Sequence, residues 1–139
     1  MKYRYGHFNE DGTEFVIIAP NTPRPYDNFI YNEVCYGNVH QTGIGCFDYQ
    51  MEGKEGIQLF RGVGRICDYD VFGKEHLLNR LIYVRDNETG EFWTVNWEPV
   101  CKEYEEFTCT HGLGYTIIMN KTKGTRSALK LFIRRGRDP

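Results

Sequence analysis

The sequence has no apolar run approaching the roughly 20 residues that span a bilayer. Its opening, MKYRYGHFNEDG, lacks the apolar centre of a secretion signal. Both absences point to a cytoplasmic protein without membrane partners. The five cysteines agree: their number is odd and none forms a C-x-x-C pair, so reduced, buried thiols are expected rather than a disulfide framework. Charge of one sign is also lacking. The net charge of −2 leaves no dense basic surface for nucleic acid. Only the tail is locally basic, with Lys130, Arg134, Arg135 and Arg137, a pattern expected of a solvated strand edge. No repeat, low-complexity tract or Ser/Pro linker divides the 139 residues, which suit one domain with its own core.

Aromatic residues are plentiful: ten Tyr and nine Phe, which favour strands. Glu14 to Ile18 reads as a strand after the turn Asn9-Glu10-Asp11-Gly12. The prolines Pro20, Pro23 and Pro25 bar a central strand between them. Strands are predicted over 29–36, within 39–49 around the flexible Thr42-Gly43-Ile44-Gly45, and over 58–61. Residues 70–79 form a polar insert with helical character. The clearest signal is a hairpin, Arg80 to Arg85 and Glu91 to Val95, joined by Asp86-Asn87-Glu88-Thr89-Gly90. Alternation predicts a strand over 100–108, followed by strands at 115–119 and 128–133 with the turn Lys121-Thr122-Lys123-Gly124 between them. Short, evenly spaced strands with almost no helix define an all-β antiparallel sandwich or barrel.

The sequence offers several candidates for chemistry, none self-sufficient. Cys101, Cys109 and His111 lie close in sequence, and Cys109 and His111 share a strand face. Zinc sites need more closely paired ligands, so no metal site is expected. Gly112-Leu113-Gly114 opens a strand rather than a helix and cannot be a phosphate loop. The acids Glu103, Glu105 and Glu106 read as a solvated face. Tyr83, Phe92, Trp93 and Trp97 read as core more readily than as a sugar platform.

The ordered motifs add a resemblance. "YGHFNEDGTEFVIIAPNTPRPYDNFI", "IYVRDNETGEFWTVNWEPV", "CTHGLGYTII" and "KGTRSALKLFIRRGRDP" resemble, in order, segments of the cellobiose phosphorylase family, glycoside hydrolase family 94. The resemblance covers nearly the whole chain. It departs at Tyr26, where relatives carry Trp, at Cys46, where they carry an aromatic, at Leu59-Phe60-Arg61-Gly62, and at Arg134, where they carry proline.

The resemblance implies an N-terminal portion of a supersandwich, galactose mutarotase-like in fold and incomplete here. Members of the family are inverting phosphorylases that split β-glucosides with inorganic phosphate as co-substrate and need no other cofactor. They carry the catalytic acid and phosphate site in a following (α/α)6 barrel and commonly form homodimers. No catalytic residue is therefore expected in residues 1–139. The family's parallels at Thr42 to Tyr49 and around Arg61 and Arg65 make Thr42, Tyr49, Arg61 and Arg65 the sugar-contact candidates. His111 is expected to satisfy buried backbone groups.

Overall fold

The computed structural model describes residues 4–50, 53, 55–60 and 80–136. Among these residues there are eleven strands and no helix. β1 (Gly6–Phe8), β2 (Phe15–Ile17), β9 (Glu106–Gly112), β10 (Tyr115–Thr122) and β11 (Thr125–Phe132) form a five-stranded sheet in the order β1-β2-β9-β10-β11. β3 (Asp27–Tyr31), β4 (Cys35–His40), β5 (Phe47–Tyr49) and β6 (Ile57–Phe60) form a second sheet in that order. β7 (Tyr83–Arg85) and β8 (Phe92–Thr94) make a separate hairpin. Every pairing is antiparallel.

The alternation of β10 explains which face closes. Thr116, Ile118, Asn120 and Thr122 are buried, while Met119 between them is exposed. The register places Cys109, Ile118 and Leu129 in one row, with Ile17 opposite Cys109. Ile17, Cys109 and Ile118 are completely buried, with Phe15, Tyr26, Phe107 and Leu129 packed around them. Each such aliphatic side chain contributes about 1.5–3 kcal/mol by leaving water.

The second layer lies on that inner face. Asn28 on β3 donates from Nδ2 to the Gly112 and Tyr115 carbonyls at 2.9 and 2.8 Å. Asn120 Nδ2 donates to the Val95 carbonyl at 2.7 Å. The β4–β5 loop comes so close that a Cβ at Gly43 would stand 3.1 Å from Ile118 Cδ1 and Leu129 Cδ2. Antiparallel sheets packed through their inner faces are the all-β sandwich that the strand pattern predicts.

Several local expectations hold. The hairpin at residues 80–95 is present, with Gly90 N–H donating to the Asp86 carbonyl at 2.8 Å. "CTHGLGYTII" runs up β9, turns at Leu113-Gly114 and descends β10. The next hairpin turns on Lys123 and Gly124, with φ of 51° and 75°, the left-handed pair that a type I′ turn requires.

Other expectations need correction. Residues 29–36 are not one strand: β3 ends at Tyr31 and β4 begins at Cys35. Asn32 Oδ1 accepts the Val34 and Cys35 N–H groups at 2.9 and 2.6 Å, so an Asx turn breaks the run. Residues 100–105 are not strand, and β9 starts at Glu106. Cys101 there has a φ of 52°, incompatible with extended backbone. β1 carried no recognised sequence signal. Of the described cysteines only Cys109 is fully buried, and Cys101 is exposed. The insert at residues 70–79 lies outside the described residues.

Candidate functional site

The polar interior sits where β3, β4 and the loop leaving β4 meet the tip of the β9–β10 hairpin. Asp27 and His40 are partners in the β3–β4 register, and Asp27 Oδ1 stands 2.9 Å from His40 Nε2. Asn38 Nδ2 also reaches Asp27 Oδ1 at 3.3 Å, while Asn38 Oδ1 accepts the Cys46 N–H at 2.9 Å. Gln41 is fully buried and bonded at both ends of its amide. Its Oε1 accepts the Tyr26 N–H at 2.9 Å, and its Nε2 donates to Pro20 O at 3.1 Å and Thr22 Oγ1 at 2.7 Å.

His111 completes this interior. Its Nε2 lies 2.9 Å from the Tyr26 carbonyl and its Nδ1 2.9 Å from Thr116 Oγ1. A carbonyl can only accept, so Nε2 carries the proton and Nδ1 accepts from the threonine. Burial holds the His111 pKa below 6.5, against the raising effects of Tyr26 and Asp27. The imidazole therefore stays neutral and serves the backbone. Cys109 Sγ lies 3.9 Å from the ring, and burial pushes its thiol far up, the reverse of an activated nucleophile. Among the described residues no three His, Cys, Asp or Glu side chains are placed to hold a metal ion.

Of the sugar-contact candidates, Thr42 and Tyr49 lie among the described residues. Thr42 is 2% exposed. Tyr49 is half-buried on β5, opposite Cys35 on one side and Ile57 on the other. Arg61 and Arg65 lie outside the described residues. The loop near Thr42 is instead held by Arg80, whose guanidinium donates to the Gly43 carbonyl at 2.9 Å and stacks 4.9 Å from the Phe47 ring centroid. Burial pushes Arg80 down to about 10, so it remains cationic at neutral pH.

The aromatic quartet divides. Trp93 and Trp97 are core residues, whereas Tyr83 and Phe92 are each 52% exposed, with ring centroids 6.3 Å apart. The acids are engaged at the surface. Glu105 accepts the Gly124 N–H and pairs with Lys121, and Glu106 bridges Lys121 and Arg126. Glu105 and Glu106 are thus tied to neighbouring cations and backbone. Asp27, Asn38, His40, Gln41 and Arg80 were not singled out from sequence. A turn centred on residues 33 and 34 would have paired Asp27 with His40.

The fold and this interior define a class: an all-β sandwich with a hydrogen-bonded polar core. Residues 13–138 match the family Glycosyl hydrolase 94, supersandwich domain. The chain is 35% identical over 137 residues to the solabiose phosphorylase of Paenibacillus borealis, covering 93% of this chain and 16% of that protein. It is 30% identical over 138 residues to the N,N'-diacetylchitobiose phosphorylase of Vibrio furnissii, covering 97% and 16%. A third relative, the 3-O-beta-D-glucopyranosyl-beta-D-glucuronide phosphorylase of Paenibacillus borealis, is 30% identical over 131 residues, covering 94% and 15%. The chain belongs to the glycosyl hydrolase 94 supersandwich family. It spans about a sixth of the length of these relatives.

Proposed function

We propose that these residues are the N-terminal scaffold of a cytoplasmic phosphorylase that cleaves β-glucosides with inorganic phosphate to release glucose 1-phosphate. The chemistry belongs to a following (α/α)6 barrel, and the whole assembles as a homodimer. The observation that carries this reading is the match of residues 13–138 to the supersandwich domain, together with relatives named as phosphorylases. The polar interior supports it: His111, Asp27, His40 and Gln41 are spent on internal hydrogen bonds. Sugar contact by this portion would come from the candidates the family parallel gives, Thr42, Tyr49, Arg61 and Arg65.

The test is a chimera. The matched residues of the Paenibacillus borealis solabiose phosphorylase are replaced by this chain. A scaffold role predicts a folded chimera that retains phosphorolysis of solabiose. A chimera that folds with no phosphorolysis counts against the reading.

A second reading is a free-standing carbohydrate-binding or protein-interaction module. The exposed Tyr83 and Phe92 rings on the β7–β8 hairpin favour it, since paired aromatics present an apolar face to a sugar. Titration of the chain with cello-oligosaccharides, followed by NMR at Tyr83 and Phe92, discriminates: unchanged ring resonances dismiss sugar binding there.

A further inference from the structure

Side chains from both sheets are joined in one chain of hydrogen bonds, and every donor in it points the same way. Asn28 Nδ2 on β3 donates to Thr116 Oγ1 on β10 at 3.2 Å. Thr116 Oγ1 stands 2.9 Å from His111 Nδ1 on β9, and His111 Nε2 stands 2.9 Å from the Tyr26 carbonyl. The carbonyl accepts, so Nε2 holds the ring proton and Thr116 donates to Nδ1. Beyond His111 the Tyr26 N–H donates to Gln41 Oε1 at 2.9 Å, and Gln41 Nε2 donates to Thr22 Oγ1 at 2.7 Å. Thr22 Oγ1 ends the chain on the Arg24 carbonyl at 2.6 Å. Hydrogen bonds aligned head to tail strengthen one another.

One member of this chain can change direction. A histidine that takes up a second proton donates from both nitrogens. Thr116 is completely buried, so its hydroxyl cannot turn to water. Facing a charged ring, the hydroxyl must accept at Nδ1 and aim its own proton elsewhere. Its other partner among the described residues is Asn28, which is also a donor. Two donors 3.2 Å apart repel, and the half-buried Asn28 is the one that yields. Asn28 holds β3 to the β9–β10 tip through the Gly112 and Tyr115 carbonyls at 2.9 and 2.8 Å. On the other side nothing reverses, because a doubly protonated ring still donates from Nε2 to Tyr26.

The groups around the ring set when this happens. Burial opposes a charge on His111 most; the Tyr26 carbonyl and Asp27 on β3 favour it, and His40 on β4 opposes it. Cys109 on β9, 3.9 Å away, stays a neutral thiol, and Phe15 opposite on β2 brings no charge. The intact chain is therefore present above about 6.5 and is lost progressively as pH falls toward the lower folded pKa.

We propose that His111 is an acid switch: a proton on Nδ1 reverses the Thr116 hydroxyl, displaces Asn28 and loosens β3 from the β9–β10 tip, while the Gln41 and Thr22 arm stays closed. The inference stands whether or not the chain contacts sugar.

The experiment follows the 139-residue chain by NMR from about pH 7.5 down to the onset of acid unfolding. Imidazole nitrogen shifts report the tautomer and charge of His111. Protection of the Asn28 and Gln41 side-chain amides, corrected for the intrinsic pH dependence of exchange, reports the two arms. The neutral ring should carry its proton on Nε2, with both amides protected. As the ring charges, Asn28 protection should fall about tenfold with the same midpoint, and Gln41 protection should stay. Thr116→Val removes the hydroxyl and should uncouple Asn28 from the ring, whereas Thr116→Ser should keep the coupling. The proposal is overturned if Nδ1 carries the proton of the neutral ring, or if the ring stays neutral until the chain unfolds. It is also overturned if Asn28 protection is unchanged or follows the His40 titration instead, if Asn28 and Gln41 loosen together, or if Thr116→Val keeps the response. The unsubstituted chain decides the matter even where a variant does not fold.

Discussion

Asp27 and His40 face each other across the β3–β4 ladder, with Oδ1 and Nε2 2.9 Å apart and side chains 8% and 5% exposed. Asn38 leans on the same carboxylate. Removing that carboxylate takes a partner from His40 and from Asn38 at once. Asp27→Ala should lower unfolding free energy by about 3 kcal/mol, and Asp27→Asn by less. Urea unfolding of the three proteins checks this. Equal stability of Asp27→Ala and the parent would show that the pair holds nothing.

His111 gives a dependence on pH. Its folded pKa lies below 6.5 because the ring is buried. The unfolded chain therefore binds the proton more readily. The contribution of His111 is fully present above about 6.5 and is lost progressively as pH falls below that toward the lower folded pKa. In His111→Gln the drop in urea midpoint between about pH 7.5 and 5.5 should shrink. An unchanged drop would assign it to other groups.

Gly45 marks the closest backbone approach in the loop beneath β4. A Cβ there would lie 1.9 Å from the Asn38 carbonyl oxygen, and its φ is +154°. Gly45→Ala should cost more than about 3 kcal/mol or prevent folding. Gly114 at the hairpin tip has a φ of +85° but open space around it, so Gly114→Ala should cost only about 1–2 kcal/mol. Thermal unfolding of the two variants tests the order, and a reversal would contradict the loop geometry.

Asn28 ties the two sheets together through the Gly112 and Tyr115 carbonyls. Asn28→Ala should cost about 2 kcal/mol. It should also speed amide exchange at the β9–β10 tip before the rest of the sheet. Uniform acceleration across all strands would argue that the contact has no local role.

The parts legible in the sequence were those with local causes. The Asp86 to Gly90 turn, the strand over 115–119 and the Lys123-Gly124 turn each announce themselves within a few residues. The β3–β4 break was missed because Asn32 acts through its side chain, in a stretch whose strand character continues on both sides. The start of β9 was misplaced because residues 100–105 alternate in sequence while Cys101 takes a left-handed backbone. The role of His111 could be anticipated, but its partners Tyr26 and Thr116 come from different strands and loops. The buried polar set of Asp27, His40 and Gln41 was invisible for the same reason: polar residues read as surface until a register pairs them.

The central claim is that these residues build a scaffold and that bond cleavage depends on groups outside them. The most direct measurement incubates the purified 139-residue chain with cellobiose and inorganic phosphate and quantifies glucose 1-phosphate. The account predicts none above the protein-free control. Phosphate-dependent product that scales with the amount of chain would contradict it.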